Sequence, residues 1–110
     1  MAKIKPLLPS LRQKKRYLAF EIIAEKKIEV KTIQNELFTK IKEFLGEFTL
    51  SKASIELIES KGNKAILKVN NKYTDLLRAS LLLVKNINKE SVLIRTLMLS
   101  GSMDKVKNYV

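Results

Sequence analysis

The sequence predicts an α+β sandwich of βαββαβ order, the ferredoxin-like (split βαβ) layout, followed by a short basic helix. Three observations lead there. Short apolar runs of strand character occupy 16–24, 49–60, 64–69 and 91–99, most of them alternating with period two. Between them lie two segments, 30–45 and about 71–86, whose apolar residues step by three or four. The chain has 110 residues, 45% of them hydrophobic, which suits one domain spanning 1–110 that buries roughly 65% of its unfolded surface.

In chain order, residues 1–15 form a basic, proline-broken extension. Lys3, Lys5, Arg12, Lys14 and Lys15 carry its charge, and Pro6 and Pro9 disfavour helix at Lys5 and Leu8. The first strand, 16–24, sets Leu18, Phe20 and Ile22 on one face and Tyr17, Ala19, Glu21 and Ile23 on the other. In the first helix, Val30, Ile33, Leu37, Ile41 and Phe44 make an inward stripe, Phe38 flanks it, and Gly46 ends it. The second strand, 49–60, alternates Ile55 and Leu57 against Ser54 and Glu56. A turn at 60–63, with Gly62 free to take positive φ, joins it to the third strand as a hairpin. That strand sends Ala65, Leu67 and Val69 one way and Lys64, Ile66 and Lys68 the other.

Asn70 and Asn71 signal a helix cap, and Asp75 suits the first turn. The second helix then presents Tyr73, Leu76, Leu77, Ser80, Leu83, Val84 and Ile87 as its stripe, with Leu81 and Leu82 broadening it. The last strand is apolar on both faces, with Leu93, Leu97 and Leu99 opposite Val92, Ile94 and Met98. Both helices cover one sheet face because βαβ crossovers are right-handed. The other face therefore needs a cover, from the chain's tails or from another protein. A break at Ser100, Gly101 and Ser102 leads into a C-terminal helical tail, 103–110, with Ser102 as cap and Lys105 and Lys107 exposed.

Charge carries the functional information. Lys and Arg number 22 against 11 Asp and Glu, a net +11 with pI near 10.0, which favours a polyanionic partner. There is no cysteine and no histidine, which removes disulfides, thiolate metal sites and the commonest general base. No apolar run approaches the ~18–20 residues of a membrane span, and the first six residues are too short an apolar run for a secretory signal; a cytoplasmic protein is the simplest expectation. No acid/base pair, carboxylate cluster or phosphate-cradling glycine loop stands out. An acylphosphatase-like enzyme shares the fold class, but Lys26 and Lys27 occupy the loop where its catalytic arginine belongs. RNA-recognition motifs of this layout stack bases on aromatics of the two central strands. Here that face offers Tyr17 alone, beside Lys64, Ile66 and Lys68.

Two stretches resemble a known family. Leu11-Arg12-Gln13-Lys14-Lys15-Arg16-Tyr17-Leu18-Ala19-Phe20-Glu21 resembles the opening of protein component 2 of archaeal ribonuclease P. Arg95-Thr96-Leu97-Met98-Leu99-Ser100-Gly101-Ser102-Met103-Asp104-Lys105 resembles that family's closing strand, Ser-Gly-Thr turn and basic helix, with Ser102 in the threonine's place so that a hydroxyl is kept. The resemblance, which covers nearly the whole chain, implies an RRM-like sandwich. It implies a non-catalytic subunit that supports the ribonuclease P RNA, which itself removes 5′ leaders from precursor tRNA. It also implies pairing with the TIM-barrel-like protein component 3, often as a dimer of heterodimers, and Mg²⁺ chemistry that belongs to the RNA, with no cofactor held by this chain. On this reading Arg12, Lys14, Lys15 and Arg16 meet RNA phosphates, Tyr17 is the one candidate for stacking, and Ser100, Gly101, Ser102, Lys105 and Lys107 make a second contact. The competing expectation is a nonspecific basic RNA-binding or ribosomal-type adaptor.

Overall fold

The computed structural model describes residues 15–110. Its elements follow the predicted order with two additions. Strand β1 (Lys15–Ala24) leads to α1 (Val30–Leu45) and a second short helix, α2 (Glu47–Ala53). The hairpin β2 (Glu56–Lys61) and β3 (Lys64–Asn70) follows, then a 3₁₀ turn at Asn71–Tyr73 and helix α3 (Thr74–Leu83). A two-residue strand β4 (Asn86–Ile87), the long strand β5 (Glu90–Ser100) and α4 (Met103–Lys107) complete the chain. The sheet is antiparallel, in the order β2-β3-β1-β5-β4. Without the short β4 this is the strand order of the ferredoxin-like sandwich, as predicted.

The core lies between the sheet and α1 and α3. Leu18, Phe20 and Ile22 of β1, Ala65, Leu67 and Val69 of β3, and Val92 and Ile94 of β5 meet Val30, Ile33, Leu37, Ile41, Leu77 and Leu81 from the helices. Burying a side chain of this size contributes about 1.5–3 kcal/mol, so this layer dominates the stability. Phe38 packs against its margin, as its place beside the stripe predicts.

Five local expectations are corrected. First, residues 49–53 are helical, not strand. Gly46 takes φ 82° and Ser54 sits in the left-handed region at φ 51°, so the chain turns sharply on both sides of α2. Within it Leu50 and Ala53 reach the core three residues apart, a helical spacing inside what reads as a strand. Second, Phe44 is 45% exposed, because the inward stripe steps by four from Leu37 to Ile41 to Leu45, and Leu45 packs against the core in its place. Third, α3 stops at Leu83, not near Asn86. Leu76 and Leu83 are exposed while Leu81 takes the inward place, and Val84 and Ile87 are buried from extended backbone instead. Asn88 and Lys89, at φ 53° and 67°, close a two-residue β4–β5 turn of the I′ kind that the helical pattern masked. Its Asn88 N–H donates to the Glu36 carboxylate on α1.

Fourth, β5 does not keep one phase. A β-bulge shifts its register against β1 between Ala19 and Phe20, so that Met98 faces Ala19 while Thr96 faces Phe20. Val92, Ile94 and Leu99 therefore join the main core, whereas Leu97 and Met98 join a second cluster on the opposite face. Fifth, Ser102 precedes α4 without a side-chain cap; its N–H donates instead to Ser100 Oγ at 3.1 Å.

The face away from α1 and α3 acquires its cover from the chain itself. Helix α4 folds back and buries Val106 on Ala19 and Ile66, with Tyr17, Leu97, Met98, Met103 and Val110 around them. One of the two covers expected from the sequence, a terminal tail, is thus in place over the middle of that face.

Candidate nucleic-acid interface

The two basic motifs meet at one end of the sheet. Antiparallel pairing sets Lys15 opposite Asn70 and Tyr17 opposite Lys68 on one side and Ser100 on the other. The start of β1 and the end of β5 therefore lie side by side although 84 positions separate Arg16 from Ser100 in sequence. Arg16 Nε donates to Asn71 Oδ1 at 2.9 Å, which fixes the guanidinium; its other N–H groups make no hydrogen bond among the described residues. A Cβ at position 101 would touch Arg16 Nη1 at 3.4 Å, so the Ser100–Ser102 turn passes directly against that guanidinium. The turn is held by the Ser102 N–H on Ser100 Oγ, and α4 begins on the next residue with Lys105 and Lys107 exposed on it.

Of the residues singled out in the sequence, Lys15, Arg16, Tyr17, Ser100, Gly101 and Ser102 come together here, and Lys105 and Lys107 follow on α4. Arg12 and Lys14 lie outside the described residues. Tyr17 is half-buried in the cluster beneath α4, where it packs as a side chain of the fold. Three further polar residues join the site. Asn71 positions Arg16; Lys72, exposed, has its N–H bound by Asn70 Oδ1 at 3.0 Å; and Lys68 shares a row with Tyr17 and Ser100. The Asn70–Asn71 pair reads in sequence only as a cap signal. Asn70 does act as that cap, while the use of Asn71 on Arg16 depends on a 55-residue separation that no local pattern reports.

The site is suited to holding an anion. A fixed guanidinium, surface ammonium groups and hydroxyls together suit phosphate oxygens. Among the described residues no three Asp or Glu side chains gather as a metal site, and no buried polar side-chain atom lacks a partner. The loop after β1 is exposed, with Lys26 paired to Glu90 at 3.2 Å. No helix among the described residues is long and apolar enough to cross a membrane.

Fold and site together define an RRM-like protein with a cationic sheet end. Comparison with known proteins gives the family: residues 16–110 match the model of the Rpp14/Pop5 family, and the chain belongs to it. Ribonuclease P protein component 2 of Methanococcus vannielii is 35% identical over 104 residues, covering 94% of this chain and 80% of that protein. The component 2 proteins of Methanosarcina mazei and Pyrococcus horikoshii are each 34% identical, over 93% and 97% of this chain and 88% and 91% of their own length. Among solved structures, a chain of yeast ribonuclease MRP superposes with a TM-score of 0.68 at 16% identity, covering 83% of this chain and 76% of that one, a likeness of fold.

Proposed function

We propose that this chain is a non-catalytic protein subunit of ribonuclease P, which binds and supports the RNA that removes 5′ leaders from precursor tRNA. The observation that carries the reading is the junction of Arg16 with the Ser100–Ser102 turn. It lies within residues 16–110, which match the family. The family's relatives are named for that enzyme. The RNA supplies the active site and its Mg²⁺, and precursor tRNA is met through the RNA. Roughly six phosphate contacts give a log–log salt slope near −5.

Protein component 3 is the proposed protein partner, in a dimer of heterodimers. Two apolar surfaces left open are suited to such contacts. Phe44, Leu82 and Leu83, with Phe48 at 73% exposure, lie on the helical side, and Ile23 and Leu93 lie on the sheet face beyond α4. The proposed compartment is the cytoplasm.

Purification of the full chain from its own cell extract, with sequencing of the bound RNA, tests this. Recovery of one discrete RNA together with a TIM-barrel-like protein supports the reading. Bulk ribosomal RNA with no such protein replaces it with a nonspecific adaptor, and leader removal by the RNA-free polypeptide overturns it.

A further inference from the structure

The open sheet face carries a second cationic feature, separate from the strand-end site. Pairing registers align Lys61 of β2, Lys64 of β3, Glu21 of β1 and Arg95 of β5 in one row across four strands. Directly opposed residues share a face, and Lys64 and Glu21 alternate with the core-facing Ala65 and Phe20, so the row lies on the side that α4 covers only in part. Four residues of β1 separate it from the Tyr17–Ser100 row, about 13 Å at the rise of a strand.

The row's one carboxylate is already committed. Glu21 pairs with Arg95, whose side chain remains 62% exposed while that of Glu21 is 12% exposed. Lys61 is exposed and Lys64 half-exposed, and neither joins an ion pair among the described residues. Glu59 lies one row away, opposite Ile66, and is not bridged to either lysine. Two like charges set directly opposite one another in an antiparallel pair destabilise it. Lys61 against Lys64 is such a pair, so an external anion there removes a repulsion as well as adding an attraction. The row contains no aromatic side chain and no apolar one, which leaves nothing to grip a base. From Lys61 to Arg95 it spans three inter-strand spacings, about 14 Å. A nucleic-acid duplex carries one charge per about 1.7 Å of axis, so a row of that length faces several phosphates.

We infer that the Lys61–Lys64–Arg95 row is a second binding site for an RNA sugar–phosphate backbone, independent of the strand-end site. The inference rests on the proposed RNA-binding function and extends it to Lys61 and Lys64, which lie outside the two motifs and are brought into line with Arg95 by strand pairing.

The test is fluorescence anisotropy of a labelled 20-base-pair RNA duplex with the full chain, titrated between 50 and 300 mM KCl, with thermal unfolding of every variant. Lys61→Gln/Lys64→Gln lowers the magnitude of the log–log salt slope by about 1.5 and weakens binding about tenfold at 100 mM KCl. Its melting temperature is equal or higher, because a repulsion is relieved; a fall in stability large enough to explain the binding loss would overturn the inference. Glu21→Gln tightens binding, since a carboxylate leaves the row. An unchanged slope in the double lysine variant, with a reduced slope in Arg16→Gln/Lys105→Gln/Lys107→Gln, overturns the inference and leaves the strand-end reading standing. A wild-type chain with a flat salt response sinks both. A 30-residue polyglutamate that binds wild type and not the double variant, with duplex binding unmoved, assigns the row to an acidic protein segment and overturns the inference.

Discussion

Replacing Val106 tests whether α4 is held on the sheet by one side chain. A five-residue helix lies far below the ~12–15 residues at which an isolated helix holds in water, so its docking must come from packing. Val106 is the buried residue of α4, fully enclosed by the cluster around Ala19 and Ile66. Val106→Ala removes two methyl-sized groups at about 0.8 kcal/mol each. The cavity left behind raises the cost to about 2 kcal/mol, or about 8–10 °C in a domain of this size. The cost has a ceiling, because the helix can leave the sheet and the sandwich beneath stays folded. Val106→Asp reaches that ceiling, since an unpaired carboxylate cannot remain in the cluster. Hydrogen exchange reads the difference through the amides of Val106, Tyr109 and Val110, which donate to Ser102, Val106 and Lys107 carbonyls. In Val106→Asp these amides lose protection, those of β1 and β3 keep theirs, and a hydrophobic dye binds the uncovered Ala19–Ile66 surface. RNA binding weakens as well, because Lys105 and Lys107 lose fixed positions. Retained protection at 106–110 with no dye binding would refute docking through Val106.

Three further substitutions test the backbone and the core. Gly62→Ala costs about 1–2 kcal/mol by denaturant melt from its φ of 62° alone, since a Cβ there meets nothing within 4 Å. Lys89→Gly, at φ 67° in the β4–β5 turn, raises the melting temperature by an amount equivalent to about 0.5–1 kcal/mol; a decrease would deny the left-handed conformation. Ile87→Ala, at a fully buried position on the two-residue strand β4, costs about 2–5 kcal/mol, whereas a solvent-facing helix terminus there would leave the melt unmoved.

Much of the fold is legible in the chain because its core residues obey a single period over each element. Leu18, Phe20 and Ile22 alternate cleanly, Val30, Ile33, Leu37 and Ile41 step as a helix must, and both sets are buried. The misread stretches are those where the period breaks. Between Gly46 and Ser54 two left-handed or glycine turns bracket seven helical residues, and the β-branched and apolar content there mimics a strand. Around Asn88 and Lys89 two non-glycine residues take positive φ, a choice that depends on the hairpin and on Glu36 across the interface. In β5 the bulge lets Leu99 reach the core while Leu97 and Met98 serve the other face, which no uniform alternation can encode. The site is legible to the extent that its cations fall in two continuous motifs. The use of Asn71 on Arg16, and the alignment of Lys61 and Lys64 with Arg95, come from strand pairing and carry no local mark.

The docking of α4 also explains why a sheet of this layout lacks base-stacking aromatics. A helix can approach the centre of the open face only where the side chains beneath it are short. Ala19 supplies that clearance in the central strand, and Ile66 offers a compact apolar partner beside it. An aromatic ring at either position would occupy the space that Val106 fills, so one strip of sheet cannot both stack a base and seat the helix. With the middle of the face spent on the chain's own tail, the cations exposed on either side of it are what remain for a polyanion. Those flanks are the Arg16–Ser102 end and the Lys61–Arg95 row, and both present charge on side chains whose backbones are fixed by strand pairing or, at the end, by the turn against Arg16. Contacts of that kind set the position of a folded RNA and read no sequence. That division of labour suits the role proposed above, a subunit that supports a catalytic RNA.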